Sequence, residues 1–483
     1  MQLINCSLKS VESRILLNMH KNREEKIMKN ILKYGMILCA CLLISPSCLA
    51  ETVIKENVKY NLNDRKMTAV YEEYVGNEAP NEAEYIFPRE VSVNGKTYIV
   101  NEIASNAVKK LKAKRLVFSD AVNKILVSDL YRFELEVNSN NQSFLVKDNV
   151  LYSIDKKTLL KSGKQDGTIN VIDGVETVKE KAFAESGVQK IIFPASLKNI
   201  EKEMFLNCKN LKKIQISSSN SYMTVVDGAI YSKNKRKLLS AGVAKGTFKL
   251  LQKTIEIQRC AFAGNQTVKK VVINGRMKKL GKEGFAYSEI RNIELPETLR
   301  IVGKGAFREC KNLKKVVFPE SIKKIDKDVF IGCRKLEKVK LPSNIKVIDK
   351  NTFMNCPSLR EIVLPNKIQI IKSGAFKNCG FTKLIIPKSV KKIEKNALET
   401  TIGILKFKGK KVPQIANQEV CLFGENEAGQ QVPEYLDEMF NYDIIRGIGV
   451  VVVPKGKCSE YRNKLDKKMR YQSIKESAFV VHS

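Results

Sequence analysis

Acid–base and nucleophilic catalysis most often use an imidazole, and this chain of 483 residues holds two, His20 and His482. Each lies near one end of the sequence. That leaves no material for a Ser-His-Asp or Cys-His arrangement, nor for most zinc sites. The sequence has no G-x-x-x-x-G-K-S/T phosphate loop, no G-x-G-x-x-G turn and no acidic calcium loop. Carboxylates are scattered among lysines, so no glycosidase-like pair stands out. We therefore expect no enzyme activity, no cofactor and no metal.

Cysteine is the remaining reactive type. Eight of the twelve follow Ala50: Cys208, Cys260, Cys310, Cys333, Cys356, Cys379, Cys421 and Cys458. Cys208, Cys310, Cys333, Cys356 and Cys379 each stand three residues after a Phe. A ladder of thiols could bind metal, pass electrons or form disulfides in an exported chain. It could equally be a small buried residue filling a narrow slot, as free Cys often does. Ser186, Asn265 and Ser288 occupy the same slot elsewhere and cannot do thiol chemistry, which favours packing. Cys421 and Cys458 lie outside the ladder and are the better candidates for a disulfide.

The spacing of those cysteines comes from a longer frame. Phe307, Phe330, Phe353 and Phe376 stand 23 residues apart, and Leu398 follows 22 later. From Gly303 the frame reads GKGAFRECKNLKKVVFPESIKKI, then DKDVFIGCRKLEKVKLPSNIKVI. It also fits Phe285, Phe262, Phe205 and Phe183. A fixed period of this length marks a solenoid, whose units bury their apolar faces against neighbouring units. In the turn at Phe307 the inward residues should be Phe307, Cys310, Leu313, Val316, Phe318, Ile322 and Ile325. The spacing of three from Phe307 to Leu313 suits a short, tight helical turn. Alternation from Lys315 to Phe318 suits a strand, which Pro319 ends.

The pattern I-x-x-x-A-F-x-x-C-x-x-L-x-x-(I/V)-x-(L/F)-P-x-(S/T)-(L/I/V)-x-x-I resembles the BspA-type leucine-rich repeat of bacterial surface proteins. Phe and Cys stand where the commoner repeat has Leu and Asn. The resemblance covers roughly residues 100–410. It implies a secreted or surface protein used for adhesion or protein binding, and it transfers no catalytic residues. The expected fold is a mainly β solenoid of 22–23-residue coils with short helical or 3-10 turns, β caps and two hairpin-bearing insertions.

The ends break the frame. Residues 28–50 have a basic start at Lys29 and Lys33, an apolar run over 35–44, and Cys48-Leu49-Ala50 as a cleavage site. That is a secretory signal, with Met28 the expected true start and residues 1–27 an upstream extension. Release after Ala50 is expected; lipid attachment at Cys41 or Cys48 is the alternative. No later stretch is long and apolar enough to cross a membrane. Residues 51–102 read as a β cap, with a hairpin turn at Asn94-Gly95. The solenoid then occupies 103–400, and 401–483 supply a final strand, a loop insertion and a closing cap. Within the solenoid, Leu135–Phe183 and Ile214–Phe262 are longer units that align at an offset of 79. Both carry a hairpin signal, at Asp148-Asn149 and Asp227-Gly228, which should project from one side.

Charge selects the candidate site. Against 51 acidic residues stand 85 basic ones, a formal +34. Strand alternation points Lys190, Lys213, Lys270, Lys315, Lys338 and Lys383 outward, with Asn292 and Glu361 completing their column. The next outward column contains Val272, Val317, Val363 and Ile385, with Ile192, Gln215, Glu294 and Lys340. Stacking would place a basic ladder beside a partly apolar one. Like charges ~5 Å apart repel, and outward aliphatics commonly mark interaction sites. The expected partner is a protein of the host matrix or of the bacterial surface. An acidic polysaccharide, such as a glycosaminoglycan or envelope polymer, is the alternative, as is a purely structural envelope role. Few outward aromatics argue against sequence-specific nucleic-acid binding.

Overall fold

The computed structural model describes residues 51–77, 83–416, 448–454, 457–466 and 479–481. The signal at 28–50, its alternative anchors Cys41 and Cys48, and Cys421 fall outside the described residues. The described chain forms a β-solenoid of about 14 turns with almost no helix. It divides into two compact units. The first takes 51–77, 86–112 and 118–127; the second takes 83–85, 113–117 and the rest from 128 onward.

The first unit is built on a six-stranded sheet. Glu51–Lys55, Val58–Asn63 and Thr68–Tyr74 run antiparallel, and Thr68–Tyr74 then pairs in parallel with Lys96–Ile103. Lys96–Ile103 also pairs with Glu90–Val93 across the expected turn, where Asn94 and Gly95 take φ of 51° and 76°. Two positive φ values in a row suit the right-handed twist of the flanking strands. Tyr71, Phe87 and Phe118 are fully buried, with Phe87 stacked on Phe118 at 5.1 Å.

In the second unit each coil with a Phe turn contributes to three hydrogen-bonded ladders. The first holds the strands predicted from alternation, Lys190–Phe193, Lys213–Ile216, Val268–Val272, Asn292–Ile293, Lys315–Val317 and Lys338–Lys340, together with Thr168–Asn170 and Gly246–Lys249, which lie outside the repeat frame. Glu361–Ile362, Gly380–Ile386, Thr401–Phe407, Ile448–Val453 and Phe479–Val481 continue it as a further sheet. The second ladder is made of two-residue strands on the return side of the coil, such as Glu256–Ile257, Lys279–Leu280 and Ile301–Val302.

The third ladder runs through the Phe turns. Residues two before and two after each Phe are left-handed, as in Gly305 (φ 62°) and Glu309 (φ 55°). Within the turn, Arg308 and Cys310 donate to carbonyls three residues earlier, which is 3-10 geometry. The N–H groups of Gly305, Phe307 and Glu309 instead point at the next coil, meeting the carbonyls of Lys327, Val329 and Ile331 at 3.1, 3.0 and 2.6 Å. A continuous helix would consume those donors, so the left-handed residues are what let turn stack on turn.

The seven residues expected to point inward at Phe307 are all buried. Rings of successive turns stack almost parallel: Phe285–Phe307, Phe307–Phe330, Phe330–Phe353 and Phe353–Phe376 have centroid spacings of 5.6, 5.5, 5.5 and 5.6 Å. Cys458–Asp466 is an α-helix whose Tyr461 is buried against Phe407, its hydroxyl donating to Gly409 O at 2.7 Å.

The two longer units differ from a single elongated coil. Each holds two coils, because Thr168–Asn170 and Gly246–Lys249 are additional first-ladder strands. Both hairpins form, Phe144–Lys147 with Val150–Ser153 and Met223–Val226 with Ala229–Ser232. Each passes through a third strand, Thr158–Ser162 or Lys237–Ser240, into the second ladder. They therefore extend the return side, not the strand face on which the lysines lie.

Candidate functional site

Each lysine of the candidate column sits on a strand whose next residue is buried. Lys315, Val316 and Val317 are exposed, buried and exposed in turn, and Lys338, Val339 and Lys340 repeat that pattern. Parallel register brings the column together coil by coil. Lys190 faces Lys213; Lys270 faces Asn292, which faces Lys315, which faces Lys338; Glu361 faces Lys383. Lys190 is half-buried and the other five lysines are exposed.

The column is not continuous. Lys213–Ile216 ends one sheet and Gly246–Lys249 begins another, so Lys190 and Lys213 form a pair apart from Lys270, Lys315 and Lys338. Lys383 lies beyond Glu361. The aliphatic column is likewise broken. Val272 and Val317 are 40% and 39% exposed and Val363 is 84% exposed, whereas Ile385 is half-buried. Val272 faces Lys249, Val317 faces Lys340 and Ile385 faces Lys406. Val272, Val317 and Ile385 thus each have a lysine stem alongside. Lys249 escaped the sequence reading because its coil lacks a Phe turn; the signal was the alternation Thr247, Phe248, Lys249.

None of Lys190, Lys213, Lys270, Lys315, Lys338 and Lys383 comes within 4.0 Å of a carboxylate among the described residues. On the second ladder and the Phe turns, lysines meet carboxylates one coil away: Lys198–Glu176 at 2.8 Å, Lys279–Glu256 at 2.7, Lys179–Glu201 at 2.8 and Lys377–Glu399 at 2.8. Only weaker, exposed pairs such as Lys269–Glu289 and Lys314–Glu337, at 3.5 and 3.7 Å, border the column. These six stand unpaired among the described residues, as do Lys278, Lys323, Lys346 and Lys391 on the return side. Their field adds over several coils.

The thiol ladder offers no comparable chemistry. Cys208, Cys260, Cys310, Cys333, Cys356 and Cys379 are all free. Burial pushes Cys208, Cys260 and Cys310 up to about 12 and holds Cys333, Cys356 and Cys379 well above the usual thiol range. A thiol kept protonated is a poor nucleophile and a poor ligand. Among the described residues no group of His, Cys, Asp and Glu is placed to hold a metal ion, and no helix is long and apolar enough to cross a membrane.

The model of the BspA type leucine rich repeat region matches in 6 copies, over residues 131–236, 245–356 and 278–405. No curated protein matches. Among solved structures, a leucine-rich repeat protein from Eubacterium ventriosum is 19% identical, covering 72% of this chain and 95% of its own, with a TM-score of 0.48. A leucine rich cell surface protein from Faecalibacterium prausnitzii is 18% identical over 64% of this chain and 93% of its own, with a TM-score of 0.38. The pneumococcal vaccine antigen PcpA is 16% identical over 90% and 99%, with a TM-score of 0.38.

Proposed function

This chain belongs to the BspA-type leucine-rich repeat family, and from that premise we propose that it is an exported surface protein holding an acidic partner protein on its first-ladder face. The observation that carries the reading is the set of six lysines that meet no carboxylate within 4.0 Å among the described residues, with outward Val272 and Val317 on the same strands as Lys270 and Lys315. An acidic surface docking there would be steered by the summed field. Val272, Val317 and Val363 would then supply the apolar contact that slows dissociation. The role is binding, with adhesion to a host-matrix or bacterial surface protein as its setting.

The test reverses the field and removes the apolar contact separately. Lys270→Glu, Lys315→Glu and Lys338→Glu together should lower the association rate with a captured acidic partner by about one to two orders of magnitude at low salt. They should also flatten its salt dependence. Val272→Ser, Val317→Ser and Val363→Ser should leave the fold intact and raise the dissociation rate. If both triple variants hold the partner as the parent does, the face is not the site. If binding is instead to an anionic polysaccharide, affinity should fall steeply with salt, and the slope should drop by about one per lysine removed.

A further inference from the structure

Successive Phe turns are joined through the backbone, and the coil at Phe205 lacks that join on one side. Its Lys198, Ile200, Glu203 and Phe205 align at an offset of 148 with Lys346, Ile348, Asn351 and Phe353. In the later coil all four are engaged by one stretch of the coil that follows. Lys346 O accepts from Gln369 N at 2.7 Å and Ile348 O from Lys372 N at 2.9 Å. Asn351 N donates to Ser373 O at 3.1 Å and Phe353 N to Ala375 O at 2.9 Å. Among the described residues the matching groups, Lys198 O, Ile200 O, Glu203 N and Phe205 N, have no partner.

The second hairpin causes the break. After Lys213–Ile216 the chain enters Met223–Val226 and Ala229–Ser232. The next return strand, Lys237–Ser240, then has both edges occupied, by Ala229–Ser232 and by Glu256–Ile257. Asn199–Ile200 therefore stays the last strand of its sheet. Side chains record the same opening. Ile200 and Phe205 are half-buried, whereas Ile348 and Phe353 at the matching positions are buried.

A cleft of about 480 Å³ lies along this edge, a volume in the range of ligand sites. All of residues 198–205 line it, with Met223, Leu239 and Ala263 among its other walls. Its charged groups are largely paired within the protein. Glu180, Glu201 and Glu203 meet Lys202, Lys179 and Lys181, while Lys198 meets Glu176 and Arg259 meets Glu283. Of the lining charges, Lys237 alone meets no opposite charge within 4.0 Å among the described residues. What the cleft offers is two carbonyls followed by two N–H groups along one edge, beside apolar side chains. The complement of such an edge is another backbone.

We propose that an extended segment of a partner polypeptide docks in this cleft as an added strand, donating to Lys198 O and Ile200 O and accepting from Glu203 N and Phe205 N. Residues 369–376 show the side chains required, because Ile371 lies opposite Ile348 and Phe376 stacks on Phe353 at 5.6 Å. The partner segment needs an aliphatic residue and, five positions on, an aromatic one to cover Ile200 and Phe205. Stretches of that type in this chain, such as 348–353 and 371–376, are already paired within their own coils. A folded second copy therefore has none free, which makes a different protein the occupant. The site lies on the second ladder and the turns, so it stands or falls independently of the lysine face.

The probe is a blocked, fluorescein-labelled peptide with the sequence of residues 369–376, read by anisotropy on the full-length protein. It should bind saturably. N-methylation at the peptide's lysine removes the N–H meant for Ile200 O and keeps every side chain, and should weaken binding by about tenfold or more. Ala263→Trp should weaken it similarly by filling the cleft. Arg308, Ile331 and Met354 hold that position in other coils, so the turn accepts a large side chain. Hydrogen exchange needs no variant. In the free protein the amides of Glu203 and Phe205 should exchange about tenfold or more faster than those of Asn351 and Phe353, and saturating peptide should slow them. No saturable binding, equal binding of the N-methylated peptide, or protection of Glu203 and Phe205 in the free protein overturns the proposal. Sedimentation should find the parent monomeric; a dimer that Ala263→Trp dissociates would overturn the partner in favour of a second copy.

Discussion

At the scale of single residues, the cysteine ladder shows how a slot can be legible while its purpose is not. Five cysteines three residues after a Phe announce one shared environment. The structure gives its content: Cys310, Cys333, Cys356 and Cys379 donate Sγ–H to the carbonyls of Phe285, Phe307, Phe330 and Phe353, at 3.0, 3.0, 3.1 and 3.1 Å. Those acceptors lie 25 or 26 residues back, in a neighbouring coil, and sequence alone does not say which buried carbonyl needs a donor. The slot demands a small group with hydrogen-bonding capacity, which is why Ser and Asn also fill it. Titration of the six described cysteines without reductant should find them free once the protein is unfolded, and nearly inert to a thiol reagent before. Recovery of a Cys310–Cys333 or Cys356–Cys379 cross-linked peptide would contradict this. A pH dependence follows. The folded protein keeps these thiol protons while the unfolded chain releases them near pH 8.5. Stability contributed by the buried thiols is therefore complete below that value and declines as pH rises toward 12. Each thiol contributes up to about 1.4 kcal/mol per pH unit in that window. Urea midpoints measured at pH 7.5 and pH 10 should differ accordingly, and an unchanged midpoint would refute the account.

At the scale of the coil, the Phe turn is the part the sequence displayed best. Its period, its inward residues and both inserted hairpins could be read directly, because large apolar residues and the turn pairs Asp148-Asn149 and Asp227-Gly228 leave strong marks. Phe330 is fully buried between Phe307 and Phe353, so Phe330→Ala should cost about 3–5 kcal/mol. Because each repeat rests chiefly on its neighbours, hydrogen exchange should quicken over residues 303–360 and much less near Phe262. A cost under about 1 kcal/mol would mean that the ring stack does not hold the coils together. Three things stayed hidden, each for a physical reason. Strands such as Lys279–Leu280 have two residues, too few to show a period. The strands Thr168–Asn170 and Gly246–Lys249 follow coils without a Phe turn, so the frame skips them. The third ladder depends on left-handed residues as different as Lys181, Asp328 and Asn351, which share a backbone shape and no side-chain type.

At the scale of the molecule, charge and not shape carried the functional reading. A formal +34 said that lysine was in excess; pairing in three dimensions showed where the excess remains. Several lysines of the second ladder and turns meet carboxylates from adjacent coils, and among the described residues the six of the first-ladder column do not. Contiguity was misjudged, since hydropathy along a strand does not report the break after Lys213–Ile216. The export proposal has its own check: intact-mass analysis of protein isolated from its native host should find Glu51 at the N-terminus, and residues 1–27 on the isolated protein would defeat it. One more consequence follows from the even stacking of the Phe turns. Ring spacings from Phe285 to Phe376 stay within 5.5–5.6 Å, and strand register passes Lys315 to Lys338 residue for residue. A cut that removes one 23-residue period therefore leaves two ends that already fit each other. Misaligned recombination between these similar stretches of the gene can change copy number by whole coils, so a lineage can lengthen or shorten its first-ladder face without having to invent a new fold.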